Sequence, residues 1–178
     1  MIFSKTELDG AYIINPELRK DERGFFARIW CEDEFKAHGL NTDLVQANMS
    51  RSNFKGTLRG MHYQTPPFAE TKLVRCTKGA IFDVIIDIRK DSPTFKQWIG
   101  VELTEENHTM LYVPEGFAHG FLTLTDDAEA TYLVTAFYNG EHERGIRYND
   151  PAFGIEWPTS VTQISEKDAV HLDFTEGL

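Results

Sequence analysis

Along this chain the hydrophobic positions recur mostly at every second residue, in short runs punctuated by Gly, Pro, Asn and Asp, which is the pattern of strands rather than helices. Ala11-Tyr12-Ile13-Ile14 predicts a first short strand, and Asp21-Glu22-Arg23-Gly24 a turn into the run from Phe25 to Trp30. That run carries aromatics on both of its period-2 faces, so neither face suits water, and packing on another sheet or subunit is expected. Cys31 to His38, ending before Gly39, predicts one short helix with Asp33 as its cap and Phe35 facing inward. Leu44 to Asn48 predicts another strand, and Asn53-Phe54-Lys55-Gly56 turns the chain toward Arg59.

The strand signal then becomes dense. Arg59 to Gln64 and Thr71 to Cys76 predict two neighbouring strands joined by a Pro-containing loop, with Lys72, Val74 and Cys76 on one face. Lys78-Gly79 turns into the long run Ala80 to Ile88, apolar on both faces, where Asp83 shares the side of Ile81 and Ile85. A carboxylate in such company needs a hydrogen-bonding or charged partner. Trp98 to Leu103, Met110 to Val113, Phe121 to Leu124 and Glu129 to Tyr138 are further strands, the last placing Tyr132, Val134, Ala136 and Tyr138 on a common side. The tail from Glu143 to Pro158 reads as loop, and Ser165-Glu166-Lys167-Asp168 opens a final helical turn. Many short strands with few short peripheral helices predict an all-β, two-sheet jelly roll over residues 1–178, one domain without repeats or linkers.

Composition narrows the partners. With 178 residues, 41% hydrophobic and 26% charged, the chain is long enough for one well-buried core. Its formal net charge of -10 argues against nucleic acid or an anionic membrane as partner, so an anionic ligand must be caught by a local cationic cluster. Two distant cysteines, Cys31 and Cys76, have neither disulfide-scaffold nor zinc-site spacing and are expected to be reduced thiols. The N-terminal residues show no basic region followed by an apolar run, which predicts a cytoplasmic location.

The chemistry centres on Arg59-Gly60-Met61-His62-Tyr63-Gln64 with Lys72 ten residues after His62. A guanidinium grips phosphate oxygens, an imidazole titrates near working pH, and an ammonium steadies a developing oxyanion; together they suit anion binding and proton transfer. A histidine on a strand is ordinarily a packed residue, so the neighbours decide. Metal-binding cupin jelly rolls present two histidines one residue apart on an early strand and a third from a Pro-x-Gly-x-x-His turn. Here Pro114-Glu115-Gly116-Phe117-Ala118-His119 supplies the turn, but Gln64 stands in place of the second early histidine, and no metal or other cofactor is expected.

Arg59-Gly-Met-His-Tyr-Gln64, Lys72-Leu-Val-Arg75, Gly79-x-x-Phe-Asp-Val84, Arg89-Lys-Asp-Ser-Pro-Thr-Phe95, Pro114 to Gly120 and Tyr148-Asn-Asp-Pro151 resemble the dTDP-4-dehydrorhamnose 3,5-epimerase family, from about Asp21 to Asp168. The resemblance implies a metal-free cupin jelly roll, a homodimer, and epimerisation at the carbons flanking the ketone of a nucleotide-diphosphate 4-keto-6-deoxy sugar, in deoxysugar biosynthesis of the dTDP-L-rhamnose type. It implies His62 as the base, Asp168 as its orienting carboxylate, Lys72 as the cation on the enolate and Tyr132 as the acid on the opposite face. Ser165 and Asp168 also fit a helix capping box.

By the same resemblance Arg59 and Arg23 contact phosphate and substrate, His119 contacts ligand with Asp83 as its partner, and Tyr138 stacks on the base. Gln46, Asn48, Glu143 and Lys167 complete the substrate contacts, and the arm around Arg23, within residues of about 1–50, packs on the partner subunit. Two positions depart from the family pattern: Arg28 where a substrate-contacting glutamate is usual, and Ala47 where an aspartate is usual. Those changes bear on base preference. A relative inverting C3 only or C5 only, on another nucleotide sugar, and a sugar 3,4-ketoisomerase are the alternatives.

Overall fold

The computed structural model describes residues 1–175. Its frame is two antiparallel sheets facing each other. One sheet is six-stranded, in the order β1 (Ile2–Lys5), β2 (Tyr12–Asn15), β10 (Met110–Val113), β7 (Lys72–Lys78), β12 (Ala128–Val134), β5 (Gln46–Ser52). The other runs β13 (Glu143–Gly145), β6 (Thr57–Gln64), β11 (Phe117–Thr123), β8 (Ala80–Asp87), β9 (Trp98–Thr104). A short strand β14 (Gln163–Ile164) adds in parallel to the start of β6. Among the described residues no helix is long and apolar enough to cross a membrane.

Alternation dictates the layers. Val74 and Cys76 of β7, Ile81 and Ile85 of β8, and Phe117 and Phe121 of β11 point inward and pack together as the core between the sheets. Their opposite faces need other covers. Helix α1 (Glu32–Ala37) buries Phe35 against Leu73, Met110 and Tyr112 on the outside of the first sheet, while Phe153, Trp157 and Phe174 of the C-terminal segment cover Met61, Val84 and Ile86 outside the second. Cys31 and Cys76 are both free thiols, and burial pushes Cys76 up to about 11, so that it stays a neutral core residue.

Several local expectations are corrected. β6 and β7 are not neighbours in one sheet; they lie in facing sheets, because the chain crosses the sandwich between Gln64 and Lys72. Of the aromatic run only Phe25 and Phe26 are strand, in β4 (Gly24–Phe26), which pairs with β3 (Arg19–Asp21) in a separate hairpin, and both are exposed. The segment 1–50 is only partly an arm, since β1, β2, α1 and β5 all pack on the chain's own body. The α1 N-cap is Cys31, without a side-chain cap, and Asp33 lies in the first turn, where its charge favours the helix N-terminus. The β12 strand stops at Val134, so Ala136 and Tyr138 leave its face, and Glu143–Gly145 is a strand where a loop was expected.

One irregularity sets up the site. The register between β6 and β11 pairs His62 with His119 but Arg59 with Phe121, so β6 carries one extra residue across this span. The bulge puts Arg59 and His62, three apart and therefore on opposite faces of a regular strand, on the same inward face. It depends on Gly60, which has φ +116° and lies so close to β11 that a Cβ would stand 2.6 Å from the Cα of Gly120. We expect Gly60→Ala to lower stability by about 3 kcal/mol or more, the scale of a severe backbone clash, read as a fall in the urea midpoint; an unchanged midpoint would show that the bulge tolerates a side chain.

Candidate active site

The open end of the sandwich holds a cleft of two abutting cavities, of about 430 and 340 Å³. Arg59, His119, Lys167 and Asp168 line the larger and Gln46, Asn48, Tyr138 and Glu143 the smaller, while His62, Lys72 and Tyr132 line both. His62 comes from β6 in one sheet, and Lys72 and Tyr132 from β7 and β12 in the other. A planar group lying between the sheets therefore meets the imidazole on one side and the phenol and ammonium on the other.

His62 is held from behind. Its Nε2 lies 2.7 Å from Oδ1 of Asp168, on the short helix α2 (Glu166–Ala169). Asp168 is 4% exposed, and its second oxygen accepts the Gly60 N–H at 3.2 Å, filling the gap that the bulge leaves in the β6 edge. Ser165 Oγ caps α2 by accepting the Asp168 N–H at 3.0 Å. The capping-box and dyad readings are thus compatible: the backbone of Asp168 serves the cap, while its carboxylate serves His62. Burial pushes this carboxyl up, but the hydrogen bond and charge of His62, then Gly60 and Ser165, outweigh it and bring it down to about 2. An ionised carboxylate can only accept, so His62 Nε2 carries the proton and Nδ1 is left as the free base.

Lys72 has a side chain 9% exposed and pairs with Glu70 at 3.2 Å, a carboxylate that the sequence reading did not single out. Tyr132 is held above the usual phenol range, first by burial and then by the charge of Glu70, and so keeps its proton. His119 Nε2 meets Asp83 Oδ1 at 2.8 Å with both groups buried, which answers the question posed by a carboxylate among isoleucines. Arg59 is fixed by Ser52 Oγ and the carbonyl of Arg51, at 3.0 and 2.9 Å. At the mouth, Glu143 accepts from both Tyr138 and Lys167, and these two contacts outweigh the opposing effect of burial to hold its carboxyl down. Tyr138 itself is 61% exposed, an open aromatic face.

Gln64 has a definite job in place of the missing histidine. Its amide donates to the carbonyls of Phe68 and Phe137 and accepts from the Asn139 N–H, pinning the loop that carries Tyr138. Also unforeseen was His171, whose Nε2 lies 3.4 Å from the same Asp168 oxygen that His62 engages. One donor atom from each of His62, Asp168 and His171 falls within 4.8 Å of the others. Two ligands of one tetrahedral zinc lie about 3.3 Å apart, whereas the 2.7 Å His62–Asp168 contact is the separation of a shared proton.

Three residues that the sequence ties to substrate recognition do not line the cleft of their own chain. Arg23 pairs with Asp21 at the tip of the β3–β4 hairpin, and Arg28 pairs with Glu34 of α1; neither lines either cavity of its own chain. Ala47 alternates with Gln46 and Asn48 and faces outward, beside Ile29 and Met49, so its departure from the family pattern lies on the outer face of the sheet.

The dTDP-4-dehydrorhamnose 3,5-epimerase family profile matches residues 5–176. The chain is 48% identical over 165 residues to the dTDP-4-dehydrorhamnose 3,5-epimerase of Shigella flexneri, covering 92% of this chain and 91% of that one. Its structure superposes on the enzyme of that name from Bacillus anthracis, with TDP and PPi bound, at TM-score 0.94 and 41% identity, over 97% and 99% of the two chains. The dTDP-6-deoxy-D-glucose-3,5-epimerase of Legionella pneumophila, in complex with dTDP-4-keto-L-rhamnose, matches at TM-score 0.91 and 42% identity, over 97% and 92%.

The Asp168 pairing has a measurable signature. A carboxyl lowered on folding stabilises the native state above its unfolded value of 3.8, and this stabilisation is lost as pH falls through its folded value of about 2. The difference is worth ~2 kcal/mol. Urea unfolding should therefore show wild type ahead of Asp168→Asn by about that much at pH 7, with the gap closing between about pH 4 and pH 2; a gap independent of pH would refute the pairing.

Proposed function

The chain belongs to the dTDP-4-dehydrorhamnose 3,5-epimerase family, and from that footing we propose that it inverts C3 and C5 of a dTDP-linked 4-keto-6-deoxyhexose, in biosynthesis of the dTDP-L-rhamnose type. The observation that carries this reading is the placing of His62 on one sheet, and of Tyr132 and Lys72 on the other, around one shared cleft. Inversion at carbon needs a base on one face of the sugar and an acid on the other; isomerisation that returns the proton to the same face needs only one such group. In this reading the reaction takes place in the cytoplasm.

In this mechanism the sugar ketone lies between the sheets. His62 Nδ1 takes the proton from the carbon next to the ketone, and the C–H electron pair moves into the enolate, whose oxygen Lys72 stabilises. Asp168 holds the imidazolium that forms. Tyr132, whose phenol has kept its proton, gives it to the carbon from the opposite side. The cycle leaves His62 protonated and Tyr132 ionised, and proton exchange with solvent resets both before the second carbon reacts. Arg59 and Lys167 supply positive charge for the diphosphate of the substrate within a chain of net charge -10, and the exposed ring of Tyr138 offers a stacking surface for the base.

Incubation with dTDP-4-keto-6-deoxyglucose in deuterium oxide, followed by NMR at C3 and C5, tests this reading. Wild type should place deuterium at both carbons and give the L-lyxo product. His62→Asn should lose about 10³-fold in exchange rate. Tyr132→Phe should still exchange at the carbon that His62 reaches while forming little inverted product. Deuterium at C3 alone would narrow the enzyme to a monoepimerase, and exchange undiminished in His62→Asn would overturn the choice of base.

The working form in this reading is a homodimer. Support comes from the outer face of the first sheet, which α1 covers only in part. An apolar hollow of about 290 Å³ remains over β5, β12 and β7, bordered by Ile29, Met49 and Leu133, and the Arg75 Nε there is buried without a partner. A second copy seated on this face would cover the hollow and bring an acceptor to Arg75, and its hairpin would carry Arg23 toward the neighbouring cleft. Light scattering should give twice the chain mass for wild type, and Met49→Asp should shift it toward the monomer; a monomeric wild type would overturn the dimer.

A further inference from the structure

Asp168 Oδ1 stands between two imidazoles, and the reaction above uses only one of them. His62 Nε2 approaches it at 2.7 Å and His171 Nε2 at 3.4 Å. The two rings lie edge to face with centroids 5.7 Å apart. His171 Nε2 is buried and makes no hydrogen bond, although Oδ1 of Asp168 lies 3.4 Å away. A buried ring nitrogen without a partner is unusual.

The placing is built rather than incidental. The His171 ring rests on the backbone of Gly145, the β13 residue paired with His62; a Cβ on Gly145 would come within 2.1 Å of His171 Nε2. The segment is fastened on both sides, by the His171 N–H to the Asp168 carbonyl and by the Arg147 N–H to the Leu172 carbonyl. Val170 and Leu172 flank it and are exposed, so the histidine alone of the three turns inward.

We propose that His171 is a positioning residue for the His62–Asp168 pair: its Nε2, 3.4 Å from the shared carboxylate oxygen, restrains that oxygen and moderates how strongly it stabilises a His62 imidazolium. The proposal rests on His62 being the base. A donor on Oδ1 draws off part of the carboxylate charge that would otherwise stabilise the His62 imidazolium. His62 is thereby kept a base that releases its proton readily, as a two-carbon reaction requires. The charged and titratable groups around His171 are His62 on β6, Asp168 and Lys167 on α2, Glu143 on β13, and the Arg147–Asp173 ion pair beyond it. Burial, then the charge of His62, push the His171 imidazole down, against the pull of Asp168. Its neutral form is therefore favoured, and a charge on His62 disfavours one on His171.

The test is the NMR titration of the His62 and His171 ring protons in substrate-free protein, for wild type, His171→Leu and His171→Gln. Leu removes the donor and should raise His62 by about half a pH unit, with the acid limb of kcat/KM moving upward equally. Gln keeps a neutral N–H on a side chain of similar reach and should restore both toward wild type. Identical His62 titrations in wild type and Leu, or equal shifts in Leu and Gln, would overturn the proposal. Should Leu fail to fold, the reciprocal measurement decides: His62→Gln should raise His171, and an unmoved His171 overturns the coupling. These titrations need no turnover. Undiminished deuterium exchange in His62→Asn would sink the choice of base separately, leaving the coupling result to stand on its own.

Discussion

The site depends on a carboxylate brought 106 residues along the chain to a histidine. Asp168 reaches β6 at the one place where a bulge has opened its edge, and there it satisfies a backbone donor and an imidazole together. Each contact makes the other less costly. A bare Gly60 N–H in the ladder and a bare buried carboxylate would both be unfavourable; joined, they fix the ring of His62, its tautomer and its free nitrogen. The bulge that creates the gap also turns Arg59 to the same face, so one backbone irregularity positions both His62 and a guanidinium of the cleft.

The two-sheet frame contributes a constraint of a different kind. A group that inverts carbon must be reached from both faces, and a sandwich open at one end offers that without a moving lid. Its inner faces are paired by ladders and filled by Ile81, Ile85, Phe117 and Phe121. His62 and Tyr132 belong to different sheets, so their separation is set by the sheet spacing of about 10 Å rather than by any loop. Loops enter only at the rim, where Gln64 pins the segment that carries Tyr138 and where Glu143 ties Tyr138 to Lys167.

Much of this was legible in the sequence, and the exceptions have physical causes. Alternation located most of the strands that build the two sheets, because period 2 is local, but it missed the short β1, β3, β13 and β14; Phe35 was read as the inward residue of α1 from equally local pattern. Which sheet a strand joins is not local, and β6 and β7 were accordingly read as neighbours when they face each other. The partner of Asp83 was predictable as a need, and the motif turn carrying His119 supplied it. The bulge at Gly60 was hidden because two glycines on adjacent strands, 60 and 120, announce a close approach only once the strands are known to pair. His171 carried no motif signal at all, as its place is set by the bare backbone of Gly145.

Charge completes the account. A chain with a formal charge of -10 has no long-range attraction for a nucleotide diphosphate, so recognition must be short-ranged and geometric. Its cleft therefore pairs most of its cations before any ligand arrives: Lys72 with Glu70, Lys167 with Glu143, and Arg59 with neutral oxygens. In the proposed mechanism a diphosphate entering this cleft would exchange partners rather than fill a bare positive well, and a ligand that satisfies Arg59 and Lys167 while placing its ketone at Lys72 would recover what those exchanges cost. In the proposed mechanism, binding and the geometry needed for proton transfer are in this way coupled, since the contacts assigned to the diphosphate set the depth at which the sugar would lie between His62 and Tyr132.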